Sequence, residues 1–153
     1  MTRLYDSLDA HIARAGDMAR AYAPMGQLLA WAVNLRLVDE GALLEHESLL
    51  LRIRFREALG SELLVACGGD LSSDLFNAEG QRFLAGYYPS YLADYAEALE
   101  LGDDPYAAAE NWTNYDKVAG VLTRRYMGAP ARGAHSLAGV FNKLTNGIKR
   151  LWN

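Results

Sequence analysis

Apolar residues recur at steps of three and four along most of the chain, with little strand-like alternation of apolar and polar positions. This spacing is typical of amphipathic helices, so the sequence predicts an all-α fold, a compact single-domain bundle of about seven or eight short helices. The predicted helices span residues 4–14, 24–37, 41–57, 61–67, 77–86, 89–100, 111–127 and 136–152.

Prolines and small polar residues mark the expected helix starts. Pro24, Pro89 and Pro105 each precede an apolar run, where a proline at the first helical position loses no hydrogen bond. The side chains placed to cap a helix by accepting from a free backbone N–H are those of Asn77, Asp104, Asn111 and Ser136. The glycine-containing stretches 67–74 and 128–134 are expected to be loops.

The chain length supports one domain with its own core. A sequence of 153 residues can bury about 70% of the surface that its unfolded form exposes, so no metal or disulfide is needed to hold it together. The single cysteine, Cys67, is expected to be a small buried residue, since one thiol cannot form an internal bridge. We expect residues 1–134 to form a helical domain and residues 135–153 a basic amphipathic helix packed on it.

The stretch NWTNYDKVAGVLTRRY, residues 111–126, concentrates aromatic and charged side chains. Its spacing predicts a helix with a buried stripe that comprises Trp112, Tyr115, Val118, Ala119, Leu122 and Tyr126. Tyr115 and Lys117 are two positions apart and point away from each other on a helix, which argues against an acid–base pair. Asp116 is expected either to bond the indole of Trp112 or to pair with a basic residue from another helix.

A second aromatic cluster, YYPSYLADYAEAL at residues 87–99, supports two interpretations. Tyr88, Tyr91 and Tyr95 follow a helical step that is typical of a core face. Tyrosine is also amphipathic, so the same helix can offer hydroxyl groups at the edge of a protein-binding surface.

Charge is unevenly distributed along the chain. Residues 57–116 hold twelve acidic side chains and one basic side chain, Arg82, whereas residues 117–153 hold seven basic side chains and no acidic one. The formal net charge of −4 therefore hides an acidic middle and a basic end. The two segments could pair within one fold, or the acidic segment could form an exposed face that attracts a basic partner.

The candidate protein-binding residues combine the acidic segment with the tyrosine cluster. They are Asp70, Asp74, Glu79, Tyr87, Tyr91, Asp94, Glu97, Asp103 and Asp104. The basic end, residues 135–153, suits either docking on the acidic body or contact with an anionic membrane surface. Gly139 and Gly147 weaken it as a free-standing helix, so docking on the body is the favoured interpretation and membrane binding is not.

Signatures of several other functions are missing from the sequence. A pI of about 5.3 argues against nucleic-acid binding, and the stretch RIRFR at residues 52–56 is too short to follow a phosphate backbone. The three histidines lack metal-ligand spacing, and there is no phosphate-binding loop or nucleophile elbow. We therefore expect a protein that is not an enzyme and has neither cofactor nor metal. The N-terminal residues show no signal-peptide pattern, which predicts a cytoplasmic location.

Several blocks of the sequence resemble a family of small uncharacterised bacterial proteins that is defined only as a domain of unknown function. The blocks are Tyr5–Asp6, MGQLLAWAVNLRLV at 25–38, FREALGSELL at 55–64, GGDLSSDLFNAEGQRFLAGYYPSYLADYAEAL at 68–99 and NWTNYDKVAGVLTRRY at 111–126. The resemblance covers residues 5–126, and the chain departs from it around residues 10–23 and after Gly128. It implies a compact helical domain with no assigned activity, no catalytic residues and no cofactor.

These observations lead to a functional hypothesis. Small acidic bacterial domains are similar in class to immunity proteins, which neutralise a toxin. On this hypothesis, the acidic, tyrosine-rich face covers the cleft of a cationic toxin domain. The alternative is a helical adaptor or regulatory protein that uses its basic C-terminal helix to bind a partner or a membrane surface.

Overall fold

A computed structural model of the protein describes residues 1–128. The helices in this part of the chain are α1 (Asp9–Ala15), α2 (Met18–Asn34), α3 (Glu47–Arg54), α4 (Gly60–Ala66), α5 (Ala78–Tyr87), α6 (Tyr91–Ala98) and α7 (Trp112–Tyr126). The strands are β1 (Leu4–Ser7) and β2 (Asp70–Ser72). The basic segment 135–153, for which a helix is predicted, lies outside the described residues.

β1 and β2 form a small antiparallel sheet, so the fold is predominantly helical rather than all-α. Leu4 is paired with Ser72 and Ser7 with Asp70. The prediction of a helix over residues 4–14 is wrong for its first turn, since α1 begins only at Asp9, and the loop predicted at 67–74 contains β2. Strands of three or four residues are too short to show a clear period, and each is fixed by a partner far along the chain.

α2 is the central helix, and its residues from Ala21 to Val33 are all buried. It begins at Met18, where the carboxylate of Asp17 accepts from the backbone N–H of Arg20 at 2.8 Å. Pro24 therefore lies inside the helix and not at its start, contrary to the prediction. The apolar run of α2 is explained by burial on all sides, because α1, α3, α4 and α7 pack around it.

α2 and α4 cross where each helix carries a glycine. A Cβ atom placed on Gly60 would lie 1.8 Å from the carbonyl oxygen of Gly26, and one placed on Gly26 would lie 2.7 Å from the backbone nitrogen of Ser61. No side chain larger than hydrogen fits between the two backbones. This close approach places the start of α4 directly against the middle of α2.

The prediction of a helix over residues 111–127 is confirmed by α7. The side chain of Asn111 caps the helix by accepting from the backbone N–H of Asn114 at 2.8 Å. The predicted stripe faces the core. Its buried residues are Tyr115, Val118 and Leu122. Its partly buried residues, which pack against the core, are Trp112, Ala119 and Tyr126. Asp116 pairs with Arg56, just beyond α3, at 2.6 Å. The dense aromatic stretch is therefore a packing helix.

The other differences from prediction concern helix starts. The helix predicted over 41–57 is a 3₁₀ turn at Leu44–His46 followed by α3, and the one predicted over 89–100 is a 3₁₀ turn at Tyr88–Ser90 followed by α6. Pro105 begins no helix, because residues 99–111 form the loop between α6 and α7. α5 begins as expected after Asn77, whose side chain accepts from the N–H of Gly80 at 2.9 Å.

Candidate functional site

The tyrosine cluster of α5 and α6 is a row of rings in mutual contact. Ring centroids lie 5.8 to 6.4 Å from that of Tyr91 for its three neighbours, Tyr87, Tyr88 and Tyr95. Tyr91 is 2% exposed, and its hydroxyl donates to the carbonyl oxygen of Pro24 at 2.6 Å. Tyr95 is 1% exposed, and its hydroxyl accepts from Gln27 at 3.3 Å. The row therefore fixes α6 to α2, and the ring of Tyr91 is not at the surface as the binding-edge interpretation requires.

Tyr87 and Asp94, two of the predicted binding residues, meet Arg125 of α7. The hydroxyl of Tyr87 donates to Oδ2 of Asp94 at 2.8 Å, and Nε and Nη2 of Arg125 donate to the two oxygens of the same carboxylate at 2.8 and 3.0 Å. Burial, and then the bond with Asp94, raise the pKa of Tyr87 above its ordinary value. The Asp94 side chain is 12% exposed. An arginine of α7 thus neutralises this carboxylate inside the fold.

Replacing Arg125 with methionine should lower the free energy of unfolding by about 1 to 2 kcal/mol, because Asp94 would keep a mostly buried charge without its partner. Arg124→Met is the matched control, since Arg124 lies in the same turn of α7 and makes no ion pair within residues 1–128. Urea denaturation measures both variants. Equal stability of the two would show that the ion pair with Asp94 adds nothing to the fold.

Two of the predicted acidic residues lie beside the N-terminal strand, and two lie in the loop 99–111. Asp70 is in β2, opposite Ser7 in the register of the sheet, and Asp74 accepts from the hydroxyl of Thr2 at 2.8 Å. Asp103 and Asp104 are exposed in the loop 99–111. Tyr106 of the same loop contacts His11 of α1.

The remaining two predicted acidic residues lie on the helices. Glu79 is in the first turn of α5 and accepts from the hydroxyl of Tyr126. Glu97 is exposed near the end of α6. The hydrogen bond with Asp94 is the main cause that raises the pKa of Arg125, and the negative charge of Glu97 adds to this rise. The predicted acidic, tyrosine-rich face is therefore divided between an interior part and separate exposed positions.

The acidic middle segment, residues 57–116, lies entirely within the described residues. It holds twelve acidic side chains and one basic one, in a chain whose formal net charge is −4. Within residues 1–128, arginine pairs with only two carboxylates of the segment 57–116, those of Asp94 and Asp116. Asp74 instead accepts from an uncharged donor, the hydroxyl of Thr2. Most of the negative charge of the middle segment is therefore not neutralised by arginine in this part of the structure.

A second polar cluster, which the sequence did not predict, joins β1, α1 and the loop 99–111. Nε2 of His11 lies 2.6 Å from Oδ2 of Asp6, and Nδ1 of His11 contacts the hydroxyl of Tyr106. The hydroxyl of Tyr88 donates to the same oxygen of Asp6. Burial raises the pKa of Asp6, but the hydrogen bonds from His11 and Tyr88 outweigh it and hold that pKa below its ordinary value.

The chemistry open to this cluster is limited by its burial. A carboxylate, an imidazole and a phenol in a chain can pass a proton, yet Tyr106 is 2% exposed and His11 is 7% exposed. A substrate atom cannot reach the phenol, so the cluster holds three segments together. The sequence offers one signal for it, since Asp6 and Tyr88 both fall in blocks that carry the family resemblance, 82 positions apart.

Glu110 is a further residue that the sequence did not predict. Its Oε2 accepts from the backbone N–H of Ser61 at 3.0 Å, beside the crossing of α2 and α4. Burial raises the pKa of Glu110 to about 7, although hydrogen bonds from Ser61 act in the opposite direction. Glu110 thus anchors the loop 99–111 on the core, and its charge changes near neutral pH.

Other functional groups were sought in the same part of the structure. Residues 1–128 contain no group of three or more His, Cys, Asp or Glu side chains that could hold a metal ion. None of their helices combines the length and the apolar character needed to cross a bilayer. Cys67 is half-buried, and burial, followed by the charge of Glu45, raises the pKa of its thiol.

A family model matches the larger part of the chain. Residues 4–108 match the family described as Domain of unknown function (DUF7832). The match runs from β1 through α6 and ends before α7, so the stretch 111–126 lies outside it. No curated protein and no solved structure matches the chain. The match confirms the resemblance to a family of domains of unknown function.

Proposed function

We propose, on the premise that this chain belongs to the DUF7832 family of domains of unknown function, that it is a binding domain for a basic protein partner. The observation that supports the proposal is the acidic middle segment, in which residues 57–116 hold twelve acidic side chains and one basic one within a chain of formal net charge −4. An excess of one sign attracts an oppositely charged protein over long range and speeds its association.

Four exposed aspartates, Asp70, Asp74, Asp103 and Asp104, supply the contact surface of this proposal. None of them forms an ion pair within residues 1–128. We call these four residues the acidic edge. Asp70 and Asp74 lie beside β1, and the loop that carries the other two reaches α1 through Tyr106 and His11. In this proposal the acidic edge comprises the β2 side of the sheet and the loop 99–111.

The acidic edge differs from the face that the sequence predicts. Tyr91 is in the core, and Asp94 is neutralised by Arg125. Reversing the charge of Asp94 would therefore disturb packing as well as binding, and it would not be a clean test. The exposed aspartates are better targets, because their carboxylates reach solvent and their loss removes charge without opening the core.

The finer form of the proposal is an immunity protein that acts in the cytoplasm of a bacterium. Carboxylates of the acidic edge would enter the cationic cleft of a toxin domain and occupy the place of an anionic substrate. The small size of the domain and its acidic charge support this role. Identification of the bound partner as a toxin would distinguish the immunity role from that of a general binding domain.

Charge reversal at the acidic edge tests the proposal. We expect immobilised full-length protein to retain a basic protein from an extract of the native cells. The triple variant Asp70→Lys, Asp74→Lys, Asp103→Lys should bind that protein at least about tenfold more weakly, since close charge pairs across an interface contribute about 1.5 kcal/mol or more. Asp104 is left unchanged because it accepts from the backbone N–H of Tyr106.

The control for this experiment reverses the same number of charges elsewhere. The variant Glu45→Lys, Glu47→Lys, Glu57→Lys has the same net charge as the first variant but retains the acidic edge, so it should keep most of the affinity. If both variants bind equally well, the acidic edge is not the contact surface. A partner that binds as expected but does not harm cells that lack this protein would refute the immunity role and leave the binding function in place.

A further inference from the structure

The outer face of α3 and of the turn before it carries an apolar stripe. Leu44, Leu51 and Phe55 are 67%, 52% and 68% exposed. On the opposite face, Leu50 and Ile53 are 3% and 0% exposed and belong to the core. Positions 48, 51 and 55 follow steps of three and four along α3 and its C-terminal cap, which places their side chains on one face, and Leu44 lies in the 3₁₀ turn that leads into the helix.

An exposed stripe of this kind is suited to a partner helix. Large apolar side chains that occur singly on a surface need no explanation, but three in line form a continuous patch. Helix-in-groove and helix-pair contacts use anchors at this spacing. Ser48, which is exposed in the middle of the stripe, is small enough to let another helix approach closely.

Charges beside the stripe have opposite signs at its two ends. On one flank, the exposed Glu45 lies near the N-terminal end and the exposed Arg52 lies two turns later. On the other flank, Glu47 precedes Arg54 in the same order. The side chain of Arg54 is 23% exposed and donates to Glu40 at 2.6 Å. On the first flank, Arg52 donates to the carbonyl oxygen of Glu57 at 3.3 Å. Glu45, which lies 3.5 Å from Nε2 of His46, is 82% exposed, so this flank is the more open one.

We propose that this face binds a second copy of the same chain, with the two α3 helices antiparallel about a two-fold axis near Ser48. In an antiparallel pair of this symmetry, equivalent flanks face each other with their directions reversed. Glu45 of one copy then meets Arg52 of the other, and the contact occurs twice. Leu44 lies near Phe55 of the second copy, and Ser48 lies near its Leu51.

The pattern of charge selects this occupant over others. A parallel pair would place the flank of Glu45 and Arg52 against the flank of Glu47 and Arg54. Glu45 would then meet Glu47 and Arg52 would meet Arg54, which is repulsive. An unrelated helix has no reason to match the reversed order of signs, whereas the antiparallel second copy matches it by symmetry. The contact spans about three helical turns, roughly 16 Å, so it belongs to the small interfaces that form and dissociate with concentration.

Sedimentation equilibrium of the full-length chain, from about 10 μM to about 1 mM, tests the proposal. We expect a reversible monomer–dimer equilibrium. Leu51→Asp should raise the dissociation constant at least about tenfold, because each copy would place a charge in the centre of the contact. Met18→Asp is the matched control, since Met18 is 56% exposed at the far end of α2 and should leave the constant unchanged.

A charge exchange identifies the second copy as the occupant. Glu45→Arg alone and Arg52→Glu alone each set like charges opposite each other twice, and each should weaken the dimer by about tenfold. An equimolar mixture of these two single variants should dimerise as tightly as the original protein, because both contacts in the mixed dimer again join opposite charges.

Three outcomes would overturn the proposal. The first is a chain that stays monomeric up to about 1 mM. The second is a dimer that Leu51→Asp does not weaken. The third is a mixture of Glu45→Arg and Arg52→Glu that dimerises no better than either variant alone, which would mean that the flanks of α3 do not meet in the dimer. None of these outcomes bears on the acidic edge, which lies on other elements.

Discussion

Replacing Gly60 with alanine should lower the free energy of unfolding by about 3 kcal/mol or more. The added Cβ would lie 1.8 Å from the carbonyl oxygen of Gly26 and 2.9 Å from the backbone nitrogen of Ala30. Both atoms belong to the backbone of a buried helix, so no change of rotamer relieves the contact. α4 would have to move away from α2, and its core residues Leu63 and Leu64 would lose part of their packing.

Gly120→Ala in α7 is the control for this prediction. No atom lies within 4 Å of a Cβ added at Gly120, and alanine is the better helix former by about 1 kcal/mol, so this variant should be more stable by about 0.5 to 1 kcal/mol. Chemical denaturation followed by circular dichroism measures both changes. A Gly60→Ala protein as stable as the original would mean that α2 and α4 can separate at little cost.

Replacing Glu110 with glutamine should stabilise the protein by up to about 3 kcal/mol at pH 8. The pKa of Glu110 is raised from 4.5 to about 7 in the fold, mainly by burial, so folding disfavours the charged carboxylate. A pKa difference of this size between the folded and the unfolded chain lowers the free energy of unfolding by about 3 kcal/mol when the group is charged. Glutamine keeps an oxygen that can accept from the N–H of Ser61 but carries no charge into the core.

The effect of Glu110→Gln should depend on pH in a defined direction. Below pH 4.5 the carboxyl group is protonated in both the folded and the unfolded chain, so the substitution should change little. Between 4.5 and about 7 the unfolded chain loses this proton first, and the original protein loses stability as the pH rises. Above a pH of about 7, Glu110→Gln should show its full stabilisation relative to the original protein.

Unfolding free energies at pH 4, 6 and 8 test this dependence, with Asp103→Asn as the control. Asp103 lies in the same loop but is exposed, so its substitution should have a small effect that does not grow with pH. If Glu110→Gln destabilised the protein at pH 8, the charged hydrogen bond to Ser61 would be worth more than the burial of the charge costs.

Local signals in the sequence were sufficient to predict some elements of this fold. α5 and α7 follow their predicted positions because each has an asparagine that caps its own first turn and a stripe of apolar residues within a few turns. These interactions join residues three or four positions apart. A pattern in one short segment therefore contains the information needed to place the helix.

The elements and site residues that the sequence did not predict depend on distant partners. β1 is a strand only because β2 pairs with it, and Tyr91 is a core residue because the carbonyl oxygen of Pro24, 67 positions earlier, accepts from its hydroxyl. Helical spacing shows that Tyr91 lies on a face of α6 but not what covers that face. The burial of Glu110 depends in the same way on Gly26 of α2, where an added Cβ would lie 2.3 Å from Oε2 of Glu110.

The pairing of β1 with β2 also has a consequence for synthesis of the protein on the ribosome. The N–H of Arg3 donates to the hydroxyl of Ser73, 70 residues later. At a translation rate of about 5 to 20 residues per second, Ser73 is added to the chain roughly 4 to 14 s after Arg3. The N-terminal strand therefore stays unpaired until β2 has been made, and the Asp6 cluster cannot form until Tyr88 and Tyr106 have also emerged.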